Sequence, residues 1–121
     1  MIKQRHLVLI AEHDPTLRFS LRRRLERAGH VVVGEASDGG EALDMLRRTE
    51  VDVLLLDMTM PGLDGTYVLR SLANSPPQGA PAVVANATSD SDAALAAVLG
   101  ADAVVRKDSA AGDLLAALDR I

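Results

Sequence analysis

The stretch that decides the fold is VDVLLLD at positions 51–57. After Asp52 it is continuously apolar, which is typical of a parallel strand covered on both faces. We therefore predict a central strand over residues 51–56 that delivers Asp57 at its carboxyl end. The segment PGLDG at 61–65 indicates a loop after it, and a helix is expected from about Thr66 to Ala73.

Outward from this strand, short aliphatic runs alternate with amphipathic stretches of helical length. The other strands are predicted over 6–11, 31–36, 82–85 and 103–105, and helices over 15–28, from 38, from 90 to 100 and after 109. Asp14 and Pro15 form an expected helix start, and either Asp90 or Ser91 is expected to cap the fourth helix. The pattern predicts an α/β protein with a parallel sheet wrapped by crossover helices, in one domain over residues 1–121.

Composition narrows the function classes. The chain has no cysteine, so disulfides and thiolate metal sites are excluded, and no amino-terminal apolar run suits export or membrane insertion. A cytoplasmic location is expected. The first thirty residues carry seven Lys or Arg against three acids, yet the net charge of the chain is −4 and stacking aromatics are nearly absent. A solvated helix face is therefore favoured over a nucleic-acid surface, and direct nucleic-acid binding by this domain is not expected.

Polar residues follow four of the predicted strands. They are Glu12, His13 and Asp14 after the first strand, Asp57 after the third, Asn86 after the fourth and Lys107 after the fifth. Because the carboxyl ends of parallel strands meet at one edge of the sheet, these side chains are expected to converge. Clustered carboxylates invite a hard divalent cation, and a lysine opposite them can hold an anion.

The segment LLDMTMPGLDG at 55–65 resembles the phosphoacceptor segment of bacterial receiver domains, and GAD at 100–102 followed by Lys107 is similar as well. Lys107-Asp108 with DLL at 113–115 resembles the NarL/FixJ subgroup. The resemblance spans essentially the whole chain. It implies a flavodoxin-like, doubly wound (βα)5 sheet of order 2-1-3-4-5 and a response-regulator function, in which a histidine kinase phosphorylates the domain with Mg²⁺ bound. The domain itself would not be an enzyme.

Carried over residue by residue, the resemblance implies that Asp57 is the phosphoacceptor and Lys107 the counter-charge for the phosphoryl oxygens. It places Glu12 in the metal site and makes the backbone carbonyl of Thr59 a metal ligand. Asp14 lies nearby, but the helix-capping position favours contact with backbone amides over contact with metal.

Three positions depart from the family, and all three belong to the switch. His13 stands where a metal-binding Asp is usual, so weak Mg²⁺ binding and a relative preference for Mn²⁺ are expected. Asn86 replaces the hydroxyl residue that bonds the phosphoryl group. Val104 replaces the aromatic residue whose rotation follows phosphorylation. These departures favour an alternative, a degenerate receiver that works as a phosphorylation-independent interaction or ligand-responsive module.

Two other classes share the topology. A haloacid-dehalogenase-like phosphatase also uses an Asp after an apolar strand, but it needs a second acid two residues on, where Thr59 stands. A flavodoxin-like flavin binder needs a phosphate-wrapping loop and stacking aromatics, and this sequence has neither. Both classes are disfavoured.

Two surfaces are candidates for partners. Phe19 is predicted opposite the core stripe of the first helix, where it would contact a histidine kinase, although packing over the sheet edge fits the pattern equally. The fourth helix is rich in small residues, which suits a homodimer through the fourth and fifth helices. Its alanines are Ala93, Ala94, Ala96 and Ala97.

Overall fold

Five strands form one parallel sheet. The computed structural model describes residues 4–109 and 111–121, and its strands are β1 (Leu7–Ala11), β2 (Val31–Ala36), β3 (Val53–Asp57), β4 (Ala82–Ala87) and β5 (Ala103–Arg106). Their order is β2-β1-β3-β4-β5, and every pairing is parallel. The predicted flavodoxin-like topology is confirmed, with β3 at the centre.

Five helices cover the two faces of the sheet. They are α1 (Pro15–Arg27), α2 (Gly39–Arg48), α3 (Gly65–Asn74), α4 (Asp90–Val98) and α5 (Ala111–Asp119). Leu54 and Leu56 of β3 pack into the core on the side of α2, α3 and α4, whereas Val53 and Leu55 pack into the core on the side of α1 and α5. Both faces of β3 are therefore buried, which explains its unbroken apolar sequence.

Side chains define most helix starts. Asp14 Oδ1 accepts hydrogen bonds from the backbone amides of Thr16 and Leu17, as expected for the cap of α1. The expected cap of α4 is wrong: Ser89, rather than Asp90 or Ser91, accepts the Asp92 amide at 3.1 Å. An earlier hydroxyl captures the amide, and Asp90 becomes the first helical residue. The first turn of α4 therefore holds both Asp90 and Asp92, where acids favour the helix dipole.

Three predicted bounds also shift. Strand β3 begins at Val53 and not at Val51, because the Asp52 side chain accepts the Leu7 amide at 2.8 Å at the strand entrance. Strand β4 runs two residues beyond the predicted 85, since Asn86 and Ala87 still pair with β5. Helix α3 begins at Gly65 because Asp64 caps it. Asn86 thus lies within a strand and not in the loop after it.

None of the helices in residues 4–109 and 111–121 has both the length and the apolar character needed to cross a bilayer.

Candidate functional site

The site lies at the carboxyl edge of the sheet. Strand β3 ends at Asp57, the residue after β1 is Glu12, and Lys107 directly follows β5. Glu12 and Asp57 are each only 1% exposed, so two carboxylates are buried next to each other. Such a pair is stable only when cations or donors compensate it.

Two basic side chains provide that compensation. Lys107 Nζ lies 2.9 Å from Asp57 Oδ1 and 3.0 Å from Glu12 Oε1. His13 Nδ1 lies 2.7 Å from Asp57 Oδ2 and 3.3 Å from Glu12 Oε2. The convergence of these four residues agrees with the expectation from the strand ends. They form a closed ring in which acids and bases alternate.

The carboxyl groups of the ring differ in pKa. Burial raises the pKa of Glu12, and the neighbouring Asp57 charge adds to the rise. Burial also works against the charge on Asp57, but bonds from Lys107, the Thr59 amide and His13 outweigh it and lower its pKa. Burial likewise opposes the charge on Lys107, yet its contacts with Asp57 and Glu12 raise its pKa. Asp57 is therefore ionised and Lys107 charged at neutral pH.

Backbone contacts hold Asp57 in place. The Thr59 amide donates to Asp57 Oδ1 at 2.9 Å, and the Met58 amide donates to the Asn86 carbonyl at 3.1 Å. The Thr59 hydroxyl points toward α4 and bonds Asp92 at 3.3 Å. Thr59 is thus beside the phosphoacceptor position, while its expected role as a carbonyl ligand stays a prediction.

The three unusual positions have different surroundings. His13 contacts both carboxylates and is 41% exposed at its side chain. Asn86 is 7% exposed and lies in register with Asp57, but within the described residues its Oδ1 accepts no hydrogen bond. Val104 packs, partly buried, against the core on the α4 side. Of the three, His13 alone takes part in the ring. The other two stand beside it.

Two glycines hold the loop after β3 in place. The Gly39 amide donates to the Leu63 carbonyl at 2.7 Å, and a Cβ at position 39 would lie 2.3 Å from that oxygen. A Cβ at Gly65 would lie 2.7 Å from Met58 Cα. Since real Cβ atoms do not approach this closely, only glycine fits where the loop meets α2 and where α3 begins.

Sequence reasoning missed the contribution of Arg18, because the arginines of α1 read as a solvated face. Arg18 Nη1 donates to the Glu12 carbonyl at 2.7 Å, and its Nε donates to Glu35 Oε1 at 3.2 Å. Arg22 also pairs with Glu35. Arg18 therefore fixes the backbone that carries Glu12. Its position one turn after Asp14 is the signal that could have revealed this contact.

A second polar cluster was also missed. His6 and His30 are 3% and 7% exposed, and their rings stack with centroids 5.4 Å apart. His30 Nδ1 accepts the His6 amide at 3.1 Å, and His6 Nε2 lies 3.1 Å from the Leu118 carbonyl. The pair lies at the amino-terminal end of the sheet and so outside the Asp57 site. It joins the starts of β1 and β2 to the end of α5.

Comparison with known proteins agrees with this fold and site. The chain belongs to the response regulator receiver domain family, whose model matches residues 8–119. It is thus a receiver domain of the kind found in two-component response regulators.

Relatives support the NarL/FixJ-like subgroup. The chain is 32% identical over 112 residues to the nitrate/nitrite response regulator NarL of Escherichia coli K12, a match that covers 92% of this chain and 52% of the relative. The solved receiver domain of a NarL response regulator from Mycobacterium tuberculosis is 30% identical, with a TM-score of 0.85 over 95% of this chain and 94% of that one.

One similar protein is an enzyme. A protein-glutamate methylesterase/protein-glutamine glutaminase of Myxococcus xanthus is 43% identical over 105 residues, which is 85% of this chain and 30% of the relative. The chain therefore spans about a third to a half of the length of these curated relatives.

Proposed function

We propose that this receiver domain accepts a phosphoryl group on Asp57 from the phosphohistidine of a sensor histidine kinase. An Asp57 carboxylate oxygen would form the new P–O bond while the P–N bond to the histidine breaks and the imidazole keeps the electron pair. The observation that carries the proposal is the buried, ionised Asp57 carboxylate with Lys107 Nζ at 2.9 Å. Phosphoryl transfer needs positioning and charge neutralisation more than covalent help from the protein.

Lys107 and Asn86 would serve the transferred group. Lys107 is charged and already bound to the acceptor carboxylate, so it is placed to neutralise phosphoryl oxygens as they arrive. Asn86 lies in register with Asp57 and carries an amide N–H that can donate to a phosphate oxygen.

A divalent cation fits the same residues. Glu12, His13 and Asp57 each offer a ligand atom, and these atoms lie within 4.8 Å of one another. The backbone carbonyl of Thr59 would be a fourth ligand. Receiver domains generally bind Mg²⁺ at this acidic pocket, where the ion neutralises charge on the phosphoryl oxygens. The nitrogen of His13 is a poor ligand for Mg²⁺, so we propose weak Mg²⁺ binding here.

The domain would be a signalling module and not an enzyme, apart from self-phosphorylation with small donors and autodephosphorylation. The similarity to the methylesterase covers 30% of that protein, and it aligns with this whole receiver fold. A hydrolytic role of the dehalogenase type lacks support, because Thr59 stands where the second acid is needed.

Two surfaces suit the proposed partners. Phe19 on α1 is 61% exposed, which supports contact with a histidine kinase. Leu95 and Val98 on α4 are 36% and 82% exposed, which supports a homodimer through α4 and α5. The basic residues of α1 are partly consumed by Glu35, so direct nucleic-acid binding by this domain is not proposed. A DNA-binding output would belong to a longer protein of the NarL kind, and a cytoplasmic location goes with this proposal.

The alternative is a degenerate receiver that responds to something other than phosphate. The unpartnered Asn86 amide oxygen favours it, because the side chain that should read the phosphoryl group is not engaged with the site. In that case the domain would bind its partner through the same α4 and α5 surface without phosphorylation.

Mass spectrometry after incubation with acetyl phosphate and a divalent cation tests the proposal. We expect one added phosphoryl group on the wild type and none on Asp57→Asn. Asp14→Asn is the matched control, because it removes a nearby carboxylate but keeps a side chain able to cap α1. A phosphoryl group that persists in Asp57→Asn, or its absence from the wild type with every divalent ion tried, would contradict phosphorylation of Asp57.

A further inference from the structure

His13 and Lys107 divide the oxygens of the two buried carboxylates between them. Lys107 Nζ lies against Asp57 Oδ1 and Glu12 Oε1, at 2.9 and 3.0 Å. It also lies 3.4 Å from Glu12 Oε2. His13 Nδ1 faces the other oxygen of each acid, at 2.7 Å from Asp57 Oδ2 and 3.3 Å from Glu12 Oε2. One nitrogen and two oxygens therefore face a common point on the side opposite Lys107.

We infer that Glu12, His13 and Asp57 form a binding site for a borderline divalent transition metal ion, such as Co²⁺ or Zn²⁺, in preference to Mg²⁺. The inference rests on the proposed function only in placing the ion beside the phosphoacceptor. It names the ligand class to which an atypical receiver of this kind would respond.

The donor spacing suits direct ligation. Bonds of roughly 2.0–2.2 Å from zinc to nitrogen or oxygen place neighbouring ligand atoms about 3 Å apart. The distances of 2.7 and 3.3 Å from His13 Nδ1 to the two carboxylate oxygens are close to that value. Ligation therefore requires shifts of a few tenths of an ångström and no rearrangement of β1 or β3.

The carboxylates also have capacity left for a cation. Glu12 is 1% exposed, yet its Oε1 accepts no hydrogen bond, although Lys107 Nζ lies 3.0 Å away. Glu12 Oε2 accepts the Asp14 amide at 3.0 Å, which leaves a second lone pair for an ion. A buried carboxylate that is incompletely bonded is costly, and a metal ion removes that cost.

The chemistry of the donor set determines which ion is preferred. Imidazole nitrogen suits Zn²⁺, Co²⁺ and their neighbours, whereas Mg²⁺ requires octahedral oxygen ligands and gives up its waters reluctantly. The His13 side chain is 41% exposed, so solvent reaches the nitrogen side of the site. An ion can enter there, bind water at its remaining positions, and leave the contacts of Lys107 in place.

Titration of the full chain with Co²⁺, Zn²⁺ and Mg²⁺, without any phosphodonor, tests the inference. The variants are His13→Asp and the control Asp44→Asn, which removes an exposed carboxylate on α2. We expect the ratio of Co²⁺ to Mg²⁺ affinity to be at least tenfold higher in the wild type and in Asp44→Asn than in His13→Asp. Thermal unfolding of each apo protein checks that the variants are folded.

The second readout is spectroscopic. Co²⁺ should give visible absorption bands with a nitrogen ligand in the wild type, and Zn²⁺ should shift the imidazole NMR signals of His13. Equal selectivity in wild type and His13→Asp would overturn the inference, as would signals that shift at His6 or His30 in place of His13. Phosphorylation of Asp57 is measured separately by mass, so the phosphoacceptor proposal can fail while the metal site stands, and the reverse.

Discussion

Asn86 lies directly beside Asp57 on the neighbouring strand, in register, but the buried oxygen of its amide has no hydrogen-bond donor among the described residues. The side chain lines a cavity of about 70 Å³ together with Lys107, Leu17 and Leu114. The amide therefore has room to turn. It adjoins the phosphoacceptor without being tied to it, and this weakens any mechanical link between Asp57 and the α4 side of the domain.

We expect a beryllofluoride mimic of the phosphoryl group to leave the dimerisation constant within about tenfold, or 1.4 kcal/mol, of its unliganded value. A ligand shifts a two-state equilibrium only by its differential affinity for the two states. The groups that usually provide this difference are replaced by Asn86 and Val104. Sedimentation across a concentration series measures the effect. The double variant Asn86→Thr with Val104→Tyr is the control and should respond more strongly, while a tenfold or larger gain in the wild type contradicts the prediction.

Phe19→Ala should slow phosphotransfer from a cognate histidine kinase and leave the free energy of unfolding within about 0.5 kcal/mol of the wild type. The ring is 61% exposed, so it contributes little to the core. Arg23 lies over it at 5.8 Å from the ring centroid. Stopped-flow or gel assays of transfer, with urea unfolding alongside, measure both effects.

The matched control is Val98→Ala on α4, which is also an exposed apolar residue but lies on the other face of the sheet. It should leave the transfer rate unchanged. A loss of several kcal/mol in Phe19→Ala, on the scale for a buried Phe, would show that the ring serves the core and not a partner.

Lys107→Met should destabilise the domain by about 3–5 kcal/mol, because it leaves the carboxylates of Glu12 and Asp57 buried without their main cation. The loss should shrink in the double variant that also carries Glu12→Gln, since one of the two repelling charges is then absent. Urea unfolding of the two single variants and the double variant gives the coupling energy. Additive effects of the two substitutions would contradict the ring of charges.

Stability should fall as the pH drops below about 6.5, in part because of His30. Burial, followed by the proximity of His6, lowers the pKa of His30 below its ordinary value of 6.5, while Asp119 works in the opposite direction. The folded state therefore favours neutral His30. The unfolded chain binds a proton first as the pH falls, so the stabilisation is complete above 6.5 and is lost between 6.5 and the lower pKa of the folded state.

Unfolding free energies of the wild type and His30→Asn, measured across this range, isolate the contribution of His30. Asparagine can keep an acceptor near the His6 amide but does not titrate. The variant should show a shallower pH dependence than the wild type. Parallel curves for the two proteins would rule out a role for His30.

The sequence predicted the positions that follow from hydrophobic period and strand order. The strand at 51–57, the capping role of Asp14 and the placement of Lys107 near Asp57 needed only local pattern and the topology rule for parallel sheets. The partners of Arg18 and His6 could not be predicted in this way. Their contacts, the Glu12 carbonyl and the Leu118 carbonyl, are backbone atoms of distant segments, and no side-chain pattern announces them.

The cap of α4 shows a different limit. Ser89, Asp90 and Ser91 are all good capping residues, and only the register set by β4 decides which amide meets which side chain.

The close approach of Gly39 to the Leu63 carbonyl and of Gly65 to Met58 gives the loop after Asp57 an unusual kind of robustness. The loop takes its shape from main chain resting on main chain, so exposed side chains along it, such as Thr59 and Leu63, are free to diverge without moving the acceptor. A lineage could remodel the recognition face of this domain by drift in those exposed positions alone, while two residues that have no side chains preserve its chemistry.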